Sequence, residues 1–99
     1  MGTTKILKYK VFGEGVPTSI TCHKARLLDI QLQRGEMVCW VETNDDLPET
    51  TTNLISLGTG WDVPSELMDK IRYFKTVQDA CGFVWHFYEV VEQAVTEDT

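Results

Sequence analysis

Residues 26–42 read RLLDIQLQRGEMVCWVE, and the placement of one turn in this stretch decides the fold. A two-residue turn at Arg34-Gly35 sets Leu32 opposite Met37, Ile30 opposite Cys39 and Leu28 opposite Val41. All six side chains are apolar and share one face. Gln33 with Glu36, Gln31 with Val38 and Asp29 with Trp40 take the other. Alternation with period two on both arms, in one register, marks an antiparallel hairpin with one buried face. Arg-Gly is a rarer turn dipeptide than Asn-Gly, which leaves a bulged hairpin as the alternative. The pairing gives Cys39 a core position. It puts Trp40 on the more polar face, where another element or a partner can cover it.

Working outward, β-branched and aromatic residues dominate and turn residues recur every ten or so positions, an all-β pattern. Residues 5–12 form a first strand and 18–22 a second, joined by the turn Gly13-Glu14-Gly15. Residues 43–53 are a polar connection. In the strand expected at 51–59, Ile55 and Leu57 share one face while Leu54, Ser56 and Gly58 share the other. Pro64 and Glu66 suit the first turn of a short helix near 64–69. Strands follow at 71–78 and 82–91, around a turn at Asp79-Ala80-Cys81-Gly82. The expected fold is a small sandwich or barrel of six or seven mostly antiparallel strands with one short helical turn. Residues 1–91 make a single β-rich domain and 92–99 an acidic tail.

Composition narrows the functional classes. Ninety-nine residues make one domain with a modest core. No run of 18 apolar residues is present, so no membrane span is expected. The N-terminus lacks the apolar core and cleavage site of a signal peptide, and Ile6 breaks the myristoylation pattern that Met1-Gly2 begins. The expected location is the cytoplasm. The formal charge of −6 and a pI near 4.7 oppose binding to a phosphate backbone. Only Lys5, Lys8 and Lys10 approach a basic cluster, and no nucleic-acid partner is expected. An acidic small protein suits a basic protein partner, with plain solubility as the alternative reading of the charge. Three cysteines, Cys22, Cys39 and Cys81, leave one unpaired, which argues against a secreted disulfide framework.

Residues 56–64, SLGTGWDVP, raise the question of a phosphate-cradling loop. A dinucleotide site needs GxGxxG between strand and helix, and a P-loop needs GxxxxGK[ST]; neither is present. The Gly58-Thr59-Gly60 run therefore reads as a strand end that turns. Asp45, Asp46 and Glu49 match no calcium loop. Cys22, His23, Cys39, Cys81 and His86 lack the close pairs of a zinc site. No catalytic motif surrounds His86. Neither cofactor, metal nor enzymatic activity is expected. In the stretch FVWHFYEVV, Phe83, Trp85 and Phe87 make one stripe and Val84, His86, Tyr88 and Val90 the other. Such a strand is expected at the centre of a sheet and buried on both faces.

The segments ARLLDIQLQRGEMVCWVETN, LISLGTGWDVP and RYFKTVQDACGFVWHFYEV resemble an uncharacterised family of small proteins encoded by bacteriophages and prophages. Members share a hairpin of the form A-x-I-L-x-V-Q-x-Q-x-G-x-x-x-L-W-A, a GTG-H-x-(I/L)-P loop and a G-x-x-VWH-V-F-E ending. The hairpin matches at Ala25, Leu27, Leu28, Ile30, Gln31, Gln33, Gly35 and Trp40. The loop matches at Gly58, Thr59, Gly60 and Pro64, and the ending at Gly82, Val84, Trp85, His86 and Glu89. The resemblance spans roughly residues 5–91. It implies a phage origin and a compact β-rich fold, and it implies no activity. Trp61 stands where the family has His, which puts any family role of that His in doubt here.

Three readings of function follow. The first is a non-enzymatic phage accessory protein that binds and inhibits a host defence protein. The second is a small-ligand binder that sequesters a nucleotide signal, helped by assembly into a homo-oligomer. The third is a virion-associated structural protein. The candidate ligand or partner residues are Trp40, Gly58, Thr59, Gly60, Trp61 and His86.

Overall fold

The computed structural model describes residues 2–91, so the acidic tail expected at 92–99 lies outside the described residues. Seven strands form two antiparallel sheets. They are β1 (Thr4–Lys10), β2 (Thr18–Cys22), β3 (Lys24–Gln33), β4 (Glu36–Asn44), β5 (Thr50–Gly58), β6 (Ile71–Gln78) and β7 (Val84–Val90), with one helical turn, α1 (Ser65–Met68), before β6. One sheet has the order β1-β4-β3 and the other β2-β5-β7-β6. The expected all-β class with one short helical turn is found, and the two sheets form a sandwich rather than a closed barrel.

The hairpin that decides the fold is the β3–β4 pair. Gln33 faces Glu36, Leu32 faces Met37, Gln31 faces Val38, Ile30 faces Cys39 and Asp29 faces Trp40, as the alternation requires. Arg34 and Gly35 both have positive φ, 53° and 83°. Both central residues of a type I′ turn need that conformation, and its twist matches the flanking strands. The register departs from expectation at one point. Leu27, not Leu28, faces Val41, because β3 slips between Leu27 and Asp29 and again between Lys24 and Arg26. A bulge adds one residue and bends the strand. β3 bends because it continues from β2 with only His23 between them.

At that corner the chain leaves one sheet for the other, and its neighbour does the same. Cys22 faces Thr50 in the larger sheet and Lys24 faces Thr43 in the smaller. The Asn44 amide donates to the His23 carbonyl across the bend (2.9 Å), and His23 Nδ1 bonds the Leu47 carbonyl (2.7 Å). Far from this corner, Lys75 of β6 reaches Asp29 of β3 (2.9 Å) and joins the sheets again.

The inner faces of both sheets enclose one core. Ile30, Cys39 and Val41 come from the smaller sheet, and Ile20, Leu54, Val77, Trp85 and Phe87 from the larger. Phe87, Ile30, Leu54, Val41, Cys39 and Ser56 are the most fully buried side chains. β7 lies between β5 and β6, at the interior of its sheet as expected. Burial on both its faces does not follow. Trp85 and Phe87 are buried, whereas Val84, His86, Tyr88 and Val90 are only half-buried, because no third layer among the described residues covers the outer face. Phe83 precedes the strand and is 64% exposed.

Candidate functional site

Loops from both sheets meet at one end of the sandwich, around Trp85. Trp85 is buried on the inner face of β7, opposite Val77 and Gly58. Its indole Nε1 donates to Asp79 Oδ2 (2.9 Å). Asp79 also accepts, through Oδ1, the amides of Cys81 and Phe83, both at 2.9 Å. Hydrogen bonds to the charged form, first from Trp85 and then from those amides, hold this carboxyl below its ordinary range. One carboxylate thus fixes the β6–β7 turn to the core tryptophan.

The Gly58–Trp61 turn closes over the same ring. The Trp61 amide donates to the Gly58 carbonyl (3.1 Å), and Gly60 has a φ of 87°, as the third residue of a type II turn requires. The turn sends Trp61 back across Gly58. A Cβ on Gly58 would lie 2.6 Å from Trp61 Nε1, so only glycine lets the indole lie flat there. Trp61 meets Trp85 edge-on at 5.3 Å, a favourable aromatic geometry.

The β1–β2 loop completes this end. The Phe12 amide donates to Thr18 Oγ1 (2.8 Å) and the Gly15 amide to Ser56 Oγ (2.9 Å). Ser56 is fully buried, and its hydroxyl oxygen accepts this bond and anchors the loop. Phe12 and Val16 border a cleft of about 420 Å³ that Trp85 also lines. Phe12, Val16, Trp61 and Phe83 therefore surround one buried tryptophan, and each is 45–64% exposed.

The candidate residues from the sequence divide between three places. Gly58, Gly60 and Trp61 belong to this loop end. Thr59 turns to the outer face of the larger sheet, where its Oγ1 bonds His86 Nε2 (2.8 Å). His86 Nδ1 shares a second bond with Thr76 Oγ1 (3.0 Å), and Thr76 in turn meets the Tyr73 hydroxyl (2.7 Å). Trp40 lies on the other sheet, half-buried between its cross-strand neighbours Lys8 and Asp29. The sequence pattern places Phe12 and Phe83 inside strands at 5–12 and 82–91, whereas β1 ends at Lys10 and β7 begins at Val84, and neither they nor Val16 are among the candidates. Each flanks a glycine turn, and that placement is the signal that an apolar side chain there has no strand face to join.

Among the described residues, no group of three or more His, Cys, Asp or Glu side chains could hold a metal ion. No helix among them is long and apolar enough to cross a membrane. The three cysteines are free. Cys39 is fully enclosed, and burial first, then the neighbouring Cys22, pushes its thiol up to about 11. Cys81 is exposed in the β6–β7 turn. A thiol-reactive chromogenic reagent is expected to titrate one group per native chain, and Cys22 and Cys39 only after denaturation. Fast native reaction of more than one thiol would contradict this burial.

A second cleft, of about 270 Å³, lies beside Glu89 at the far end of β7. Glu89 binds Lys24 and Arg72, each at 3.0 Å, and its side chain is 16% exposed. Desolvation raises the carboxyl, but hydrogen bonds from Lys24 and Arg72 outweigh it, and the net shift is downward from 4.5. A depressed carboxyl stabilises the fold above its unfolded value and loses that contribution as pH falls through its folded value. Glu89→Gln is expected to cost about 1–3 kcal/mol at neutral pH, because it removes the counter-charge of two cations. The gap from wild type should close below pH 4.5, as urea titrations across pH would show. A gap unchanged by acid would remove the ion cluster from the account.

Comparison with known proteins adds a family and no function. No curated protein matches the chain significantly, and no solved structure does. Residues 2–98 match the family described as a domain of unknown function (DUF7352), and with nearly the whole chain covered the protein belongs to that family.

Proposed function

We propose that this chain is a non-enzymatic phage accessory protein that acts in the cytoplasm of the host cell by binding and inhibiting a host defence protein. The observation that carries the binding is the loop end, where Phe12, Val16, Trp61 and Phe83 stand exposed around Trp85. Contiguous exposed apolar side chains mark protein interaction sites, and aromatic residues dominate the energetics of such sites. The loops are pinned from beneath by Ser56, Thr18 and Asp79, so little ordering cost remains for binding. Glu14, Glu36 and Asp79 line the cleft at this end against a single cation, Lys10, in a chain of net charge −6, which favours a basic partner. The phage origin rests on the resemblance of the hairpin, loop and ending motifs.

Capture from host lysate tests the proposal. The wild-type protein is expected to retain one stoichiometric, basic protein whose activity falls on binding. Trp61→Ala combined with Phe83→Ala is expected to weaken that capture at least about tenfold. Equal capture by the double variant, or none by wild type, would remove the loop end from the reading.

The 420 Å³ cleft favours a second reading, a binder of a small ligand such as a nucleotide signal, since its size falls within the range of such sites. Trp61 itself occupies the space over Gly58 that a stacked base would take. Native mass spectrometry of freshly purified protein would reveal carried ligand. A clean apo mass, with no thermal shift across a nucleotide panel, would exclude this reading. Presence of the chain in purified particles would instead favour a virion-associated structural role.

A further inference from the structure

The outer face of the four-stranded sheet holds no formal charge in a chain whose residues are 24% charged. Residues paired directly across antiparallel strands share a face. Ile55 pairs with Tyr88, Tyr88 with Tyr73, and Leu57 with His86, so these side chains form one outward patch. Val84 and Val90 extend it along β7. The smaller sheet is built differently, with Lys8, Lys10, Arg26, Asp29 and Glu42 on its outer face.

Most polar side chains on the uncharged face bond one another. Ser19 Oγ donates to Asn53 Oδ1 (2.6 Å), and Thr21 shares a bond with Thr51 (2.8 Å). Tyr73, Thr76, His86 and Thr59 form a continuous chain in which both imidazole nitrogens have partners. Burying a polar group is costly when it is left without a partner. Most of the partners here lie within the face, Gln78 reaching instead to the Gly82 carbonyl, so water can leave much of it at little cost.

We propose that this face is a homodimer interface, packed against the same face of a second copy about a two-fold axis. A copy is the occupant that the charge distribution selects. Two chains of net charge −6 repel one another wherever charged surfaces meet, and this face brings no charge to the contact. A partner recognised by charge would find nothing here to pair with. Depletion of charge and enrichment in aromatic residues are the marks of an interface core, and self-complementarity is what an isologous dimer requires. This inference does not rest on the loop end: in the turn that both share, Thr59 faces this sheet while Trp61 packs on Trp85.

Light scattering on the wild-type chain, from the low micromolar to the millimolar range, is expected to give twice the 11.3 kDa chain mass. Tyr88→Lys and Thr76→Glu each place a charge in the interface twice and should raise the dissociation constant at least about a hundredfold. Thr76 is exposed, so its variant tests the face even if Tyr88→Lys fails to fold. Gln31→Lys, on the smaller sheet, and the Trp61 and Phe83 variants should keep the dimer mass. A monomer at every concentration would overturn the proposal. So would a dimer that both face variants leave intact, or one that Gln31→Lys dissociates. Loss of host-protein capture by Thr76→Glu, with a monomeric wild type, would assign the face to the partner instead.

Discussion

Phe87→Ala is expected to cost about 3–5 kcal/mol of folding free energy. Phe87 is fully buried on β7, directly between Ser56 of β5 and Lys75 of β6. It is the largest of the fully enclosed side chains and packs in the one core that both sheets share. Removing the ring loses its transfer free energy and leaves a cavity that hydrogen-bonded strands on either side cannot close. A domain of this size has about 5–15 kcal/mol in total, so the variant should sit near the threshold of folding. Phe87→Leu keeps most of the volume and should cost under about 1.5 kcal/mol. Urea titration measures both: the midpoint should fall sharply for alanine, with the slope unchanged. A cost below about 1 kcal/mol for Phe87→Ala would mean that the two sheets do not share this core.

Trp85→Ala should approach the same cost, about 3–5 kcal/mol, and should also dismantle the loop end. The ring is buried, it supports Trp61, and its Nε1 is the first contributor to the low pKa of Asp79. Trp85→Phe separates these roles. It keeps an aromatic ring against Trp61 but removes the indole donor, so the Asp79 carboxyl should titrate closer to its ordinary range. Carboxyl chemical shifts followed against pH would show that rise. Tryptophan emission supplies a second measure, since Trp61 loses its aromatic neighbour in Trp85→Ala and should become more solvent-exposed. An Asp79 titration unchanged in Trp85→Phe would mean that the backbone amides alone hold the carboxylate.

The sequence carried the fold wherever side chains had to alternate against a buried face. The β3–β4 register was legible from Gln33–Glu36 back to Asp29–Trp40 because each step changes which face is apolar. β2 and β6 fell within the spans expected for them. The slip at Leu27 was not legible, since two adjacent leucines fit either register. The exposed outer face of β7 was hidden for a related reason. Alternating apolar residues say that both faces avoid charge, not what covers them. The candidate residues were partly gathered by the structure. Gly58, Thr59, Gly60 and Trp61 are one turn, and His86 is tied to it through Thr59, while Trp40 sits on the opposite sheet. That Trp61 would fold onto Trp85 follows from the turn and from the lack of a Cβ at Gly58, a contact across the sequence that spacing alone does not encode.

The corner at His23 bears on how the molecule comes apart. β2 and β3 are nearly one strand, and β4 and β5, joined through residues 45–49, pair with them on either side of the bend. Neither sheet can lose its order without baring the core that both inner faces share, because Ile30, Cys39 and Val41 of one pack with Leu54, Trp85 and Phe87 of the other. Local opening is therefore expected to be confined to the loops, and the slowest-exchanging amides of β4 and β5 should report a single opening free energy. Heat or denaturant should find no seam along which one layer peels away from the other.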